Sequence, residues 1–253
     1  MAEKIAWFVI GLLSVTVATA SGEITIAVAS DLNFVFKEIV ADFEKTTGHT
    51  VKVSLGSSGN FFAQLSSGAP FDLFFSADMS YPRKLAEGGL ADPATLFMYG
   101  VGRIVLWVPN DSPIDVGVLG MQALQHPSVH KIAIANPKHA PYGRAAVAAM
   151  EYYKVHAVVK DKLVLGENIA QTAQFVQTGG AEIGIIALSL AVAPAVKKTG
   201  RFWEVPPDAY PRLEQGAVIL TQAKDPKTAR LFLDYVRGPE GRGVFARYGL
   251  VTP

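Results

Sequence analysis

Residues 56–60, Gly-Ser-Ser-Gly-Asn, place two adjacent hydroxyls between glycines, after a β-rich run (50–55) and before an apolar, helix-like segment (60–68). Ser57 and Ser58 offer O–H donors, and Gly59 and Asn60 let backbone N–H groups approach a ligand closely. The motif is not a nucleotide-hydrolase phosphate loop, because no Lys-Ser/Thr follows the glycines. Nor is it a Gly-x-Ser-x-Gly nucleophile elbow, because Asn60 stands where the last glycine is required. Plain helix capping by Ser58 is the alternative. Three more corners share this character. In "ASDLN" (29–33) Asp31 is a good helix N-cap, which leaves Ser30 to point outward. In "APYGR" (140–144) Pro141 restricts the turn, and Tyr142 and Gly143 supply N–H groups, as any Pro-Gly turn would. In "GENIAQ" (166–171) Asn168 reads as an N-cap with Gln171 three residues on, so Ile169 carries the first exposed N–H. The first N–H groups of a helix lack intrahelical acceptors and carry partial positive charge. Several such ends aimed at one point form an anion site without Lys or Arg.

Other chemistries find less support. The chain has no cysteine, which removes disulfides, thiolate metal sites and Cys nucleophiles. Its formal net charge is +1, and no dense Lys/Arg run is interleaved with aromatics, so nucleic acid is a poor partner. His49, His126, His130, His139 and His156 show no metal-ligand spacing. A serine hydrolase built on Ser58 and His139 is conceivable, without a supporting acid pattern.

These corners must be held by a framework. With 253 residues, half of them hydrophobic, the chain can build one large or two medium cores. Residues 5–17 form an apolar run too short for an ordinary membrane span, and Ala18-Thr19-Ala20 follows, as in an export signal cleaved after Ala20. An uncleaved anchor is the alternative. Beyond Glu23 short β runs alternate with helical stretches, which predicts parallel sheets with helices on both faces. The strands are expected at 24–29, 50–55, 71–77, 103–109, 131–136, 183–188 and 216–220. The helices are expected at 31–48, 60–68, 81–89, 143–155, 167–180 and 225–241, with a weakly patterned one between 109 and 131.

The succession "ITIAVASDL", "VSLGSSGN", "GAPFDLFFSAD", "IANPKHAPYGRAA", "GENIAQ…VQTGGAEIGII" and "YVRGPEGRGVFARYGL" resembles the periplasmic molybdate-binding proteins of ABC importers, from about Glu23 to Pro253. The resemblance implies a two-lobed, hinged α/β fold, each lobe a central mixed sheet flanked by helices. Lobe one would be about 23–101 plus 216–253 and lobe two 102–215. It implies a periplasmic, monomeric binder of molybdate or tungstate with no cofactor, no catalytic residues and no metal site beyond the oxyanion itself. Its partner would be a membrane permease. By position Ser58 matches the second-loop serine, Asp31 with Ser30 the first-loop site, Tyr142 the residue after Pro in the third loop, and Ile169 a backbone donor. Ser57, Gly59 and Gly143 stand beside them.

This chain departs from the pattern twice. Many members carry Ser where Asp31 stands, and two like charges 4 Å apart repel by about 4 kcal/mol at an effective dielectric near 20. The expectation is therefore that Asp31 turns back as an N-cap; otherwise the site prefers a protonated oxyanion. Ala187 stands where many relatives have a ligand-reaching Tyr, a hydroxyl that Tyr142 would supply from another direction. The competing readings are a binder of sulfate, phosphate or an organic anion on the same scaffold, an exported hydrolase, and a sensor for a membrane receptor.

Overall fold

The computed structural model describes residues 21–252; the expected export signal lies outside them. In chain order the strands are β1 (Glu23–Ala29), β2 (Thr50–Gly56), β3 (Leu73–Ser76), β4 (Phe97–Gly102), β5 (Ile104–Pro109), β6 (Ile132–Ala135), β7 (Leu163–Gly166), β8 (Ile183–Ala187), β9 (Gly200–Glu204) and β10 (Leu213–Ile219). They form two five-stranded sheets, ordered β2-β1-β3-β10-β4 and β7-β6-β8-β5-β9. Each sheet is the centre of one lobe.

The two sheets share one topology. In the first, β2, β1 and β3 run parallel, and β10 lies antiparallel to both β3 and β4. In the second, β7, β6 and β8 run parallel, and β5 lies antiparallel to both β8 and β9. The helix–strand alternation predicted parallel sheets; both are mixed. β5 and β10 are the strands by which the chain enters one sheet from the other, so neither needs the helical crossover that joins parallel neighbours. The chain crosses at Gly102–Ile104 and returns between Glu204 and Leu213. Arg103 ties these segments together: Nη1 donates to Glu204 at 2.6 Å, and Nε and Nη2 donate to the carbonyl of Gly249 at 3.2 and 3.0 Å.

The central strands read as apolar runs because helices cover both of their faces: β3 and β8 are buried throughout. Three strands absent from the expected list, β4, β7 and β9, all lie at sheet edges and are only partly buried. The closing helix expected over 225–241 is two helices, Pro226–Arg237 and Pro239–Arg247, broken at Gly238. Pro239 has no N–H to continue the first ladder, and it starts the second helix at a position where none is needed. Behind the first sheet, Phe36 meets Phe75 edge-on with ring centroids 4.7 Å apart, and Phe43 meets Phe232 at 4.9 Å. All four rings are fully buried. Phe232→Ala should lower stability by about 3–5 kcal/mol, measured by urea unfolding; a loss under about 1 kcal/mol would show that this cluster does not anchor the lobe.

Candidate anion-binding site

Four chain corners follow the carboxyl ends of parallel strands, two in each sheet. β1 leads into a 3-10 turn (Ser30–Leu32), β2 into the helix Ser58–Ser66, β6 toward the helix Pro141–Tyr152, and β7 into the helix Ile169–Gln177. Ligands of open α/β sheets gather at this end of the strands. The corners meet around a cavity of about 10 Å³ lined by Ser30, Asp31, Ser57, Ser58, Tyr142 and Ile169, among others. That volume is room for about one water-sized sphere, so the lobes are already drawn together.

The lining groups differ in what they have left to give. Among the described residues, none accepts a hydrogen bond from the backbone N–H of Ser58, Tyr142 or Ile169. Each of these opens a helix, where the ladder supplies no acceptor. The Ser58 hydroxyl accepts from the N–H of Ala77 at 2.9 Å, which orients the oxygen and leaves its own proton to donate. Ser58 is therefore not the helix N-cap that the sequence allowed. The remaining candidates have protein partners. Ser30 Oγ donates to Asn168 Oδ1 at 3.1 Å and accepts from the N–H of Ala170 at 3.3 Å. Ser57 Oγ sits 2.9 Å from His139 Nδ1. The Gly59 N–H donates to the carbonyl of His139, and the Gly143 N–H to that of Ala140. Asn168 caps its helix as expected, accepting from Ala170 and Gln171, but Gln171 Oε1 reaches back to the N–H of Glu167 and not to that of Asn168.

Asp31 does not cap a helix. It sits inside the 3-10 turn, and neither this turn nor the helix Asn33–Thr47 has a side-chain cap. Its carboxyl is 1% exposed. Oδ2 accepts from Tyr142 Oη at 3.0 Å and from Gln215 Nε2 at 2.9 Å, while Oδ1 has no partner. Gln215 Nε2 also reaches Tyr142 Oη at 2.9 Å. The Tyr142 hydroxyl is thus engaged by Asp31 and Gln215 at the cavity wall. A Cβ on Gly102 would lie 2.4 Å from Tyr142 Oη and 2.6 Å from Gln215 Nε2, so only glycine leaves room for this cluster. Burial holds the Asp31 carboxyl up at about 7, against the hydrogen bonds from Gln215 and Tyr142 that favour the charged form. Sequence reasoning missed Gln215. Its only signal is a polar residue on the apolar strand β10, where it is fully buried.

The cleft is bridged directly. The Gly59–His139 and Ser57–His139 contacts cross it, and Asn60 donates to Glu167 beside them. A Cβ on Gly59 would stand 2.5 Å from the His139 carbonyl. Farther along, Arg144 Nη2 meets Asp78 Oδ2 at 2.5 Å. His139 Nε2 lies 3.7 Å from Glu167 Oε2, so Ser57, not Ser58, has the histidine and acid that a hydrolase would need. The adjacent Gly59 N–H, the natural oxyanion donor, is already bound to the His139 carbonyl, which argues against the hydrolase reading.

Two mixed sheets joined by two crossings, with a small cavity between them, define a two-lobed binding protein. The chain belongs to the bacterial extracellular solute-binding protein family, which it matches over residues 24–251. It is 41% identical over 234 residues to the molybdate-binding protein ModA of Azotobacter vinelandii, covering 92% of this chain and 91% of that one. It is 38% identical over 242 residues to the ModA of Rhodobacter capsulatus, covering 95% and 93%. The solved periplasmic molybdate-binding protein of Azotobacter vinelandii superposes with a TM-score of 0.85 at 30% identity, covering 91% of this chain and 99% of that one.

Because burial raises Asp31 from 3.8 to about 7, the folded chain holds a proton there that the unfolded chain has lost. Its contribution to stability is full below about pH 4, declines as pH rises to about 7, and is level above that. The stability gain of Asp31→Asn over the native protein should therefore grow by about 1.4 kcal/mol per pH unit across that window. Urea unfolding of ligand-free protein at pH 5, 6.5 and 8 measures it, and a constant difference would mean that Asp31 titrates normally.

Proposed function

We propose that this protein captures molybdate, or tungstate of nearly equal size, in the periplasm and delivers it to an ABC permease. The observation that carries the reading is the donor set: three unpartnered helix N–H groups and the Ser58 hydroxyl, from both lobes, around a cavity whose lining holds no Lys or Arg. The relatives described above, themselves molybdate-binding proteins, support it. Hydrogen bonds to a charged group contribute about 1.5–3 kcal/mol each, and about −8 kcal/mol corresponds to micromolar affinity. Five or so such bonds suffice for binding at or below that level after ordering costs. N–H donors accept no proton, so they leave that of hydrogen phosphate unpaired.

Donors from both lobes imply that the anion favours the closed state over an open one. The closed form is then what the permease recognises. The contact of Gly59 with His139 belongs to that state alone.

Calorimetry with molybdate, tungstate, sulfate and phosphate tests the reading; preference for sulfate, or no binding of any, would overturn it. Ser58→Ala should weaken molybdate binding by about 1–3 kcal/mol, and unchanged affinity would remove Ser58 from the donor set. Gly59→Ala should weaken it by about 1–3 kcal/mol through the clash with His139 while leaving the unfolding midpoint of the ligand-free protein nearly unchanged. Equal affinity in this variant would show that closure does not require the contact.

A further inference from the structure

We propose that Asp31 serves the site as a neutral carboxylic acid, its Oδ1 hydroxyl donating to an oxygen of the bound anion, so that in alkaline solution each anion is taken up together with one proton from solvent. The inference rests on the anion-binding reading above and adds a charge rule to it.

Geometry carries the assignment. Asp31 lines the cavity beside Ser58, Tyr142 and Ile169. Both side-chain donors to its carboxyl, Tyr142 Oη and Gln215 Nε2, converge on Oδ2. Oδ1 is buried and partnerless, an unusual condition for a carboxylate oxygen. A protonated acid resolves it: Oδ2 is then the carbonyl oxygen that accepts from both, and Oδ1 carries a proton in need of an acceptor. An anion oxygen is such an acceptor, whereas an ionised Oδ1 would repel it.

The surroundings supply no counter-charge. The titratable groups facing Asp31 are Tyr142, from the helix after β6, and Tyr99, from β4; burial pushes both well above their ordinary range, so both are neutral. From the other packed elements come Gln215 on β10 and Ser189, which donates to the Asp31 carbonyl at 2.8 Å. The guanidinium groups at the edge of the cleft are engaged elsewhere, Arg144 by Asp78 and Arg103 by Glu204, and the His139 ring contacts Ser57. Burial already holds the free carboxyl at about 7 against the hydrogen bonds that favour its charged form, and a nearby dianion raises it further. Near neutral pH the proton is therefore available, and it becomes limiting only in alkaline solution. The chemistry differs from that of a serine at this position, which donates a proton at every pH in this range.

Calorimetry of the full protein with sodium molybdate from pH 6 to 9, in Tris and in HEPES where they overlap, decides the point. The expected Kd is nearly constant at and below pH 7 and rises about tenfold per unit above it. At pH 8.5 the two buffers should give different heats corresponding to about one proton taken up per anion. Asp31→Asn, which offers an amide N–H from the same position, should bind with no pH slope and no proton uptake. A pH-independent Kd without uptake in the native protein overturns the proposal while leaving molybdate binding intact, as does a slope that persists in Asp31→Asn. Absence of binding already at pH 6 overturns both readings together. The proton count in the native protein decides even if the variant does not fold.

Discussion

A buried N–H or O–H without an acceptor costs free energy, and nearly all such groups in folded proteins are paired. This protein leaves several unpaired in one place. The N–H groups of Ser58, Tyr142 and Ile169 and the Ser58 proton point away from protein acceptors because each lies at a helix start, where the ladder has not begun. Their shared need is an acceptor-rich guest. An oxyanion, with acceptors on every side, meets it without any lysine or arginine, and the rigid corners lose little freedom on binding.

The same constraint explains the division of labour around the cavity. Ser30, Ser57, Gly59 and Gly143 offer the same atom types, but each is bonded within the protein. They hold corners in position or join the lobes, and the open donors are the residues left over. Asp31 sits at the junction of both roles: Oδ2 anchors Tyr142 across the cleft and Gln215 within its own lobe, and Oδ1 remains unbonded. A charge in that position would oppose the guest, so burial without a counter-ion works to the site's benefit by favouring the neutral acid.

The elements that the sequence displays well are those with a strong local signal. Central strands such as β3 and β8 are continuous apolar runs, and the corners carry Ser, Gly, Pro and Asn in patterns with a mechanism. β4, β7 and β9 were not legible because edge strands bury little and their pattern is weak. The break at Gly238 was missed although Gly238-Pro239 marks it and, Pro239 apart, no aliphatic or aromatic side chain lies between Val236 and Val244; the expected helix was carried on to Gly241. Asp31 was expected as a cap from its residue type and from the repulsion an ionised carboxylate would exert on an anion; an N-cap and a buried acid in a 3-10 turn look the same in one dimension. Gln215 has no neighbours in sequence that mark it, since its partners are 184 and 73 residues away.

Local sequence thus determined where the helices begin, and so which backbone groups would lack partners, because capping, proline and small-residue turns act within a few positions. It also determined that no cluster of cations would serve the four corners. The tertiary structure alone decided which of those groups stay free, since Ala77, His139 and Asn168 reach Ser58, Gly59 and Ser30 only through the packing of separate strands. It likewise decided the state of Asp31. A carboxyl's charge depends on the water and counter-charges around it, and those are set by elements that meet only when both sheets have formed and the lobes have come together.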